Sequence, residues 1–232
     1  MIARFPNTSC WQQQEFFYGH DVNGHYWSCG VVSINKLSVD TQILDEVTFY
    51  LQNLLDEYDP LLLRHCENVA GYAMQLACYL NVPEKDIENL YWAGFFHDIG
   101  KTLISRKILL KPERLTNAEY EEVKQHPRLG VHILESFIND NLLCEIKAGI
   151  LHHHERYDGN GYPHGLQGEA IPLAARILAV ADVFDALTSD RPYRNALSTE
   201  SAITYLISGS GTLFDPSLVS IFRAILGTPV HN

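Results

Sequence analysis

The sequence predicts an all-α protein, a helical bundle carrying a small N-terminal two-stranded antiparallel β-ribbon, and two patterns lead there. From Asp40 onward apolar residues recur at helical spacing, in stretches separated by capping residues and prolines. Before Asp40, residues 16–34 are rich in aromatic and β-branched types and are broken by Asn23-Gly24, a strong two-residue hairpin signal. No repeat, low-complexity tract or linker interrupts the rest. Residues 1–39 therefore read as a ribbon appendage and 40–232 as one helical domain.

Residues 16–22 and 25–34 are the expected strands. A lone ribbon is marginal in water, so it should pack on the helical body or on a second subunit, which leaves a homodimer open. The first helix carries the stripe Ile43, Val47, Tyr50, Leu51, Leu54 and Tyr58. Asp59-Pro60 supplies an N-cap and an N1 proline for a second helix to about Leu80, with His65 on the face of Val69, Tyr72 and Leu76. Asn81-Val82-Pro83 breaks the chain. The third helix turns Ile87, Leu90, Tyr91, Gly94 and Phe95 inward and runs into His97-Asp98-Ile99-Gly100-Lys101, where Gly100 is expected to end it in the left-handed conformation.

Thr116 and Glu119 form a capping box, opening a helix expected to stop at His126-Pro127, because the residue before proline is driven out of the α region. A short helix should follow over about residues 128–137. The next, from near Asn141, has the stripe Leu142, Ile146, Gly149, Ile150 and leads into His152-His153-His154. By phase His153 and His154 face the core, and His152 lies on the more polar side. Ile171-Pro172 starts a long helix on which Asp182 and Asp185 share a face. Two last helices are capped near Ser198 and by Asp215-Pro216.

Composition narrows the function. A formal charge of −11 argues against broad electrostatic binding to DNA, RNA or an anionic membrane. An anionic substrate would need local cations, either metal ions or a few placed Lys and Arg. Five cysteines with no C-x-x-C pair fit a reduced compartment better than a disulfide framework or a Cys-zinc knuckle. With no signal-peptide pattern and no segment long enough to span a bilayer, a cytoplasmic location is expected.

The ligand-type side chains that face inward or stand at helix ends are His65, His97, Asp98, His126, His153, His154 and Asp182. They lie on different helices, and only a bundle core could gather them. The ordered series His65, His97-Asp98 and Asp182 resembles the signature of the HD-superfamily metal phosphohydrolases. With His126-Pro127, His153-His154-Glu155, Asp158-Gly159, Gly161-Tyr162-Pro163, Asp182-Val183-Phe184-Asp185 and Arg191-Pro192-Tyr193-Arg194, it is similar to the HD-GYP subfamily in particular. The resemblance covers about residues 60–225.

It implies a metal-dependent phosphodiesterase acting on a bacterial cyclic dinucleotide, cyclic di-GMP or 3′,3′-cyclic GMP-AMP, to give the linear dinucleotide. Two divalent transition-metal ions are expected, Fe or Mn first and Ni or Zn as further options, since imidazole and carboxylate suit such ions better than Mg or Ca. Asp98 would bridge them, with His65, His97 and Asp182 completing one site and His126, His153 and His154 the other. A hydroxide shared by the two ions would then attack phosphorus in line. Some members hold a third ion with a Glu one turn before the first histidine; Leu61 stands there, so two ions are expected. Lys101 is expected to donate to a phosphate oxygen, Arg191 and Arg194 to clamp the second phosphate, and Tyr162 to stack on a base. The Gly161-Tyr162-Pro163 turn could instead dock a signalling partner. Asp185 is expected to orient a ligand histidine from behind. Two other readings stay open: a cyclic-dinucleotide sensor without turnover, and a di-iron oxygenase, a chemistry the HD scaffold also carries.

Overall fold

The computed structural model describes residues 18–20, 26–28, 40–138, 140–190 and 194–227, with side chains from residue 49 on, Asp140 excepted. The chain divides into two compact units, Met1–Phe49 and Tyr50–Asn232. In the first, Tyr18–His20 (β1) pairs antiparallel with Tyr26–Ser28 (β2), Gly19 opposite Trp27. The remainder of the expected ribbon, Asn23-Gly24 included, lies outside the described residues. A folded ribbon over residues 16–34 is therefore not supported, and the protein is described as predominantly helical.

The helices are α1 (Asp40–Tyr58), α2 (Pro60–Tyr79), α3 (Glu84–Phe96), α4 (Arg106–Leu109), α5 (Asn117–Val123), α6 (His126–Glu135), α7 (Asp140–His152), α8 (Leu173–Thr188), α9 (Thr199–Ser208) and α10 (Pro216–Ile225). A 3-10 turn, Ile99–Leu103, follows α3. Local chemistry fixes the helix starts. Asp59 accepts the Leu61 amide at 2.9 Å with Pro60 at the first position, and Asp215 accepts the Ser217 amide at 2.8 Å ahead of α10. The capping box is present on both sides, with Thr116 N donating to Glu119 Oε2 at 2.7 Å and Glu119 N to Thr116 Oγ1 at 3.3 Å.

Within the larger unit α2 packs on α3, α8 and α10, and α7 on α3, α6 and α8. Tyr72, Phe184 and Phe222 are buried and meet edge to face, with centroids 5.0 to 5.9 Å apart. In α1 the buried side chains are Leu51 and Leu55, whereas Tyr50 is 55% exposed, so the expected stripe is rotated toward Leu55. Ile43 and Val47 belong to the side chains not described. Among the described residues no helix is long and apolar enough to cross a membrane.

Two local expectations are corrected. Gly100 is not left-handed; it sits inside the 3-10 turn. Its lack of a side chain serves a close approach instead. A Cβ there would lie 2.0 Å from the His126 carbonyl oxygen and 2.5 Å from the Gly130 amide. This glycine thus lets the start of α6 press on the turn that carries Asp98. His126-Pro127 likewise does not terminate a helix. The break falls at Lys124-Gln125, both still in the α region, and His126-Pro127 opens α6, where proline's missing N–H costs no bond.

Candidate metal centre

Helix ends build this site. α3 stops at Phe96, α5 at Val123 and α7 at His152, and each leaves last-turn carbonyls without partners. In each case a histidine three residues on satisfies one of them. His97 Nδ1 donates to Gly94 O at 2.6 Å, His126 Nδ1 to Val123 O at 2.7 Å and His153 Nδ1 to Ile150 O at 2.7 Å. A carbonyl can only accept, so the proton is on Nδ1 and each ring turns Nε2 into the interior. A fourth ring is fixed by a carboxylate. His65 Nδ1 donates to Asp185 Oδ2 at 2.6 Å, and Asp185 Oδ1 in turn accepts from Asn68 Nδ2 at 2.7 Å and Ser189 Oγ at 3.1 Å.

The inward atoms fall into two groups. Asp98, His126, His153 and His154 form one; His65, His97 and Asp182 form the other; within each, one ligand atom per residue lies within 4.8 Å of the rest. Asp98 touches both. Its Oδ1 is 3.2 Å from His126 Nε2, and its Oδ2 is 3.4 Å from His97 Nε2 and 3.7 Å from His65 Nε2. Asp182 Oδ1 is 3.1 Å from His65 Nε2 and 3.9 Å from His97 Nε2. His126 Nε2 and His153 Nε2 approach to 3.3 Å.

This donor set fits divalent cations. His97 Nε2 and Asp98 Oδ1 are buried without a hydrogen-bond partner, a costly state unless a positive ion shares their lone pairs. Lone pairs of His126, His153 and Asp98 converge, and nothing among them can donate with Nδ1 already spent. Electrostatics point the same way. Burial alone would push the Asp98 carboxyl up, but Lys101 and His97 outweigh it and hold it well below its ordinary range. Asp182 is likewise lowered, against burial, by its contact with His65. Burial, with its histidine neighbours, keeps His153 far below the usual value and takes His154 to about 3. Burial would also lower His65, but the hydrogen bonds to Asp182 and Asp185 reverse this and raise it to about 9. The ionised carboxylates and the neutral His153 and His154 are in the states metal ligands need, whereas His65 has a proton to lose before it can ligate.

The remaining residues singled out by sequence are less deeply buried or lie outside the described residues. Lys101 Nζ donates to Asp98 Oδ2, and a quarter of the side chain is exposed. Tyr162 is half-buried and stacks on His154, centroids 4.9 Å apart at 29°. Its loop is tied down by Glu155, which accepts the His164 amide at 2.7 Å and the Leu166 amide at 3.1 Å. Gly161 is required there, since a Cβ would sit 2.2 Å from the Arg156 amide. Arg194 is exposed and donates to Ala186 O at the end of α8. Arg191 lies outside the described residues. Leu61 is 49% exposed at the start of α2.

Sequence reasoning missed Asn68 and the loop-holding role of Glu155. Asn68 stands three residues after His65, the spacing that puts both on one face of α2, and that was the available signal.

Residues 50–218 match the sequence model of the HD domain. The chain is 46% identical over 158 residues to the cyclic di-GMP phosphodiesterase response regulator RpfG of Xanthomonas campestris, covering 68% of this chain and 40% of that one. It is 38% identical over 171 residues to 3′3′-cGAMP-specific phosphodiesterase 1 of Vibrio cholerae, covering 74% and 38%. The chain therefore spans about two fifths of the length of these curated relatives. The crystal structure of V-cGAP3, a cyclic GMP-AMP specific phosphodiesterase of Vibrio cholerae, superposes with a TM-score of 0.59 at 22% identity, over 77% of this chain and 47% of that one, and speaks for the fold alone.

Proposed function

The chain belongs to the HD-domain family, in its HD-GYP form, and from that premise we propose a metal-dependent phosphodiesterase that opens a 3′,5′-linked cyclic dinucleotide, cyclic di-GMP or 3′,3′-cyclic GMP-AMP, to the linear dinucleotide. One observation carries the reading. Asp98 offers one oxygen to each of two buried histidine groups, which is how a carboxylate bridges two ions. In this reading His65, His97 and Asp182 hold one ion with Asp98, and His126, His153 and His154 the other. Fe or Mn suits this mixed imidazole and carboxylate set. When bound, such a pair supplies Lewis-acid charge for the phosphoryl oxygens and a water acidic enough to attack phosphorus.

The chain's own residues do the rest. The Nδ1 bonds to Gly94, Val123, Ile150 and Asp185 fix the ring planes of His97, His126, His153 and His65 before metal arrives, so little reorganisation remains for these four. Lys101 stands beside Asp98 with a quarter of its side chain exposed, and its ammonium has donors left for a non-bridging phosphate oxygen. Tyr162, propped on His154, forms one wall against which a base can stack. Arg194 uses one donor on Ala186 O and has others left for the second phosphate. We assign this work to the helical part of the chain.

The test is to load the protein with Mn or, anaerobically, with ferrous iron, and incubate it with each nucleotide, separating products by chromatography. Linear dinucleotide from at least one is expected, and no cleavage in Asp98→Ala. Intact nucleotide under both metals would overturn the proposal.

A further inference from the structure

Besides the paired groups, a further set of ligand-type side chains, His152, Glu155 and His164, holds neither of the two ions proposed above. We propose that His152, Glu155 and His164 form a separate cation site, which takes a borderline divalent ion such as Zn2+ and staples the Tyr162 loop to the end of α7.

One ligand atom of each residue lies within 4.8 Å of the other two. His152 Nδ1 is buried and makes no hydrogen bond. Its neighbour His153 spends the same atom on a helix carbonyl, whereas His152 points it at Glu155 Oε1, 3.5 Å away. That separation is long for a hydrogen bond. It is close to the edge of a tetrahedron of ligands about 2.0–2.1 Å from a zinc ion. An unmade bond at a buried nitrogen is costly, and a shared ion would remove the deficit.

The other two ligands are brought in by the loop itself. Glu155 accepts the His164 and Leu166 amides, one on each oxygen, and each oxygen keeps a further lone pair. Closing the loop in this way sets the His164 ring 5.1 Å from that of His152. His164 is exposed, so an ion can enter from solvent and keep water in its fourth position. Two imidazoles and one carboxylate favour Zn, Co, Ni or Cu over Mg or Ca. Because none of these residues belongs to the Asp98 groups, the proposal stands or falls independently of the phosphodiesterase reading.

The test uses the full chain, stripped of metal and dialysed against Zn2+, with bound zinc measured per chain in wild type and in His164→Ala and His152→Ala. The exposed His164 can be removed without disturbing the core. Wild type should bind one equivalent more than either variant, and zinc should slow amide exchange of residues 155–166 in wild type only. Co2+ in the same position should add a visible tetrahedral absorption band that His164→Ala lacks. Equal zinc content in wild type and both variants, or exchange that zinc slows equally in all three, would overturn the site.

Discussion

His65 Nδ1 lies 2.6 Å from Asp185 Oδ2, joining α2 to α8 behind the candidate metal centre. The contact holds the ring so that Nε2 faces Asp182, and it raises the electron density on that nitrogen. Asp185→Ala should therefore weaken metal binding by about 10–100-fold, the usual cost of losing a ligand's orienting partner. Asn68→Ala, which removes one of the two bonds to Asp185 Oδ1, should have a smaller effect in the same direction. Equilibrium dialysis with metal analysis measures both. Unchanged affinity in Asp185→Ala would show that the ring is held by packing alone.

Lys101 has two expected roles, and they separate by metal content. Without metal its ammonium offsets the buried Asp98 carboxylate. Lys101→Met should lower the stability of the stripped protein by about 1–3 kcal/mol, a buried-charge penalty reduced by the lysine's partial exposure. In the loaded protein the ions take over that neutralisation, so melting temperature should match wild type while kcat falls by about 10²-fold, as for loss of one transition-state donor. Equal destabilisation in both states would mean that Lys101 is structural only.

Metal affinity should depend on pH through His65. Its pKa of about 9 in the metal-free chain means that it carries an extra proton at neutral pH, and a ligand nitrogen must lose that proton. Affinity should rise with pH, by about tenfold per unit, and level off above about pH 9. Near pH 7 about one proton should be released per ion bound at this group. Calorimetry in buffers of different ionisation heat reads that number directly. Binding at pH 7 with no proton release would remove His65 from the ligand set.

Much of this centre is legible in the amino-acid pattern, for a physical reason. Ligand types are rare inside a core, so His65, His97 and His153 stand out at inward helical phase among apolar neighbours. What the pattern could not give was tertiary approach. Gly100 looked like a helix terminator because that is glycine's commonest local role, whereas its purpose here is contact with His126, distant in sequence. The Nδ1 tethers were invisible for a similar reason. They depend on where α3, α5 and α7 stop to within one residue, which periodicity does not resolve.

Asp215 provides a stability prediction away from the metal centre. It caps α10 and meets Arg176 of α8 at 2.5 Å, while Arg176 Nε holds the Ile171 carbonyl at 3.0 Å. Burial would push the Asp215 carboxyl up, but Arg176 and the Ser217 amide outweigh it and set it below the ordinary carboxylate range. A lowered pKa means that its contribution is full above the unfolded value and is lost as pH falls through the folded one. Asp215→Ala should cost about 2–4 kcal/mol at neutral pH, from the lost cap and the unpaired Arg176. The difference from wild type should shrink as pH drops below the carboxylate range. Because both proteins keep the same metal ligands, acid effects at the centre cancel in that difference. Urea unfolding of the pair between neutral and acid pH measures it, and a gap that stays constant down to the lowest pH would show that the cost is packing and not charge.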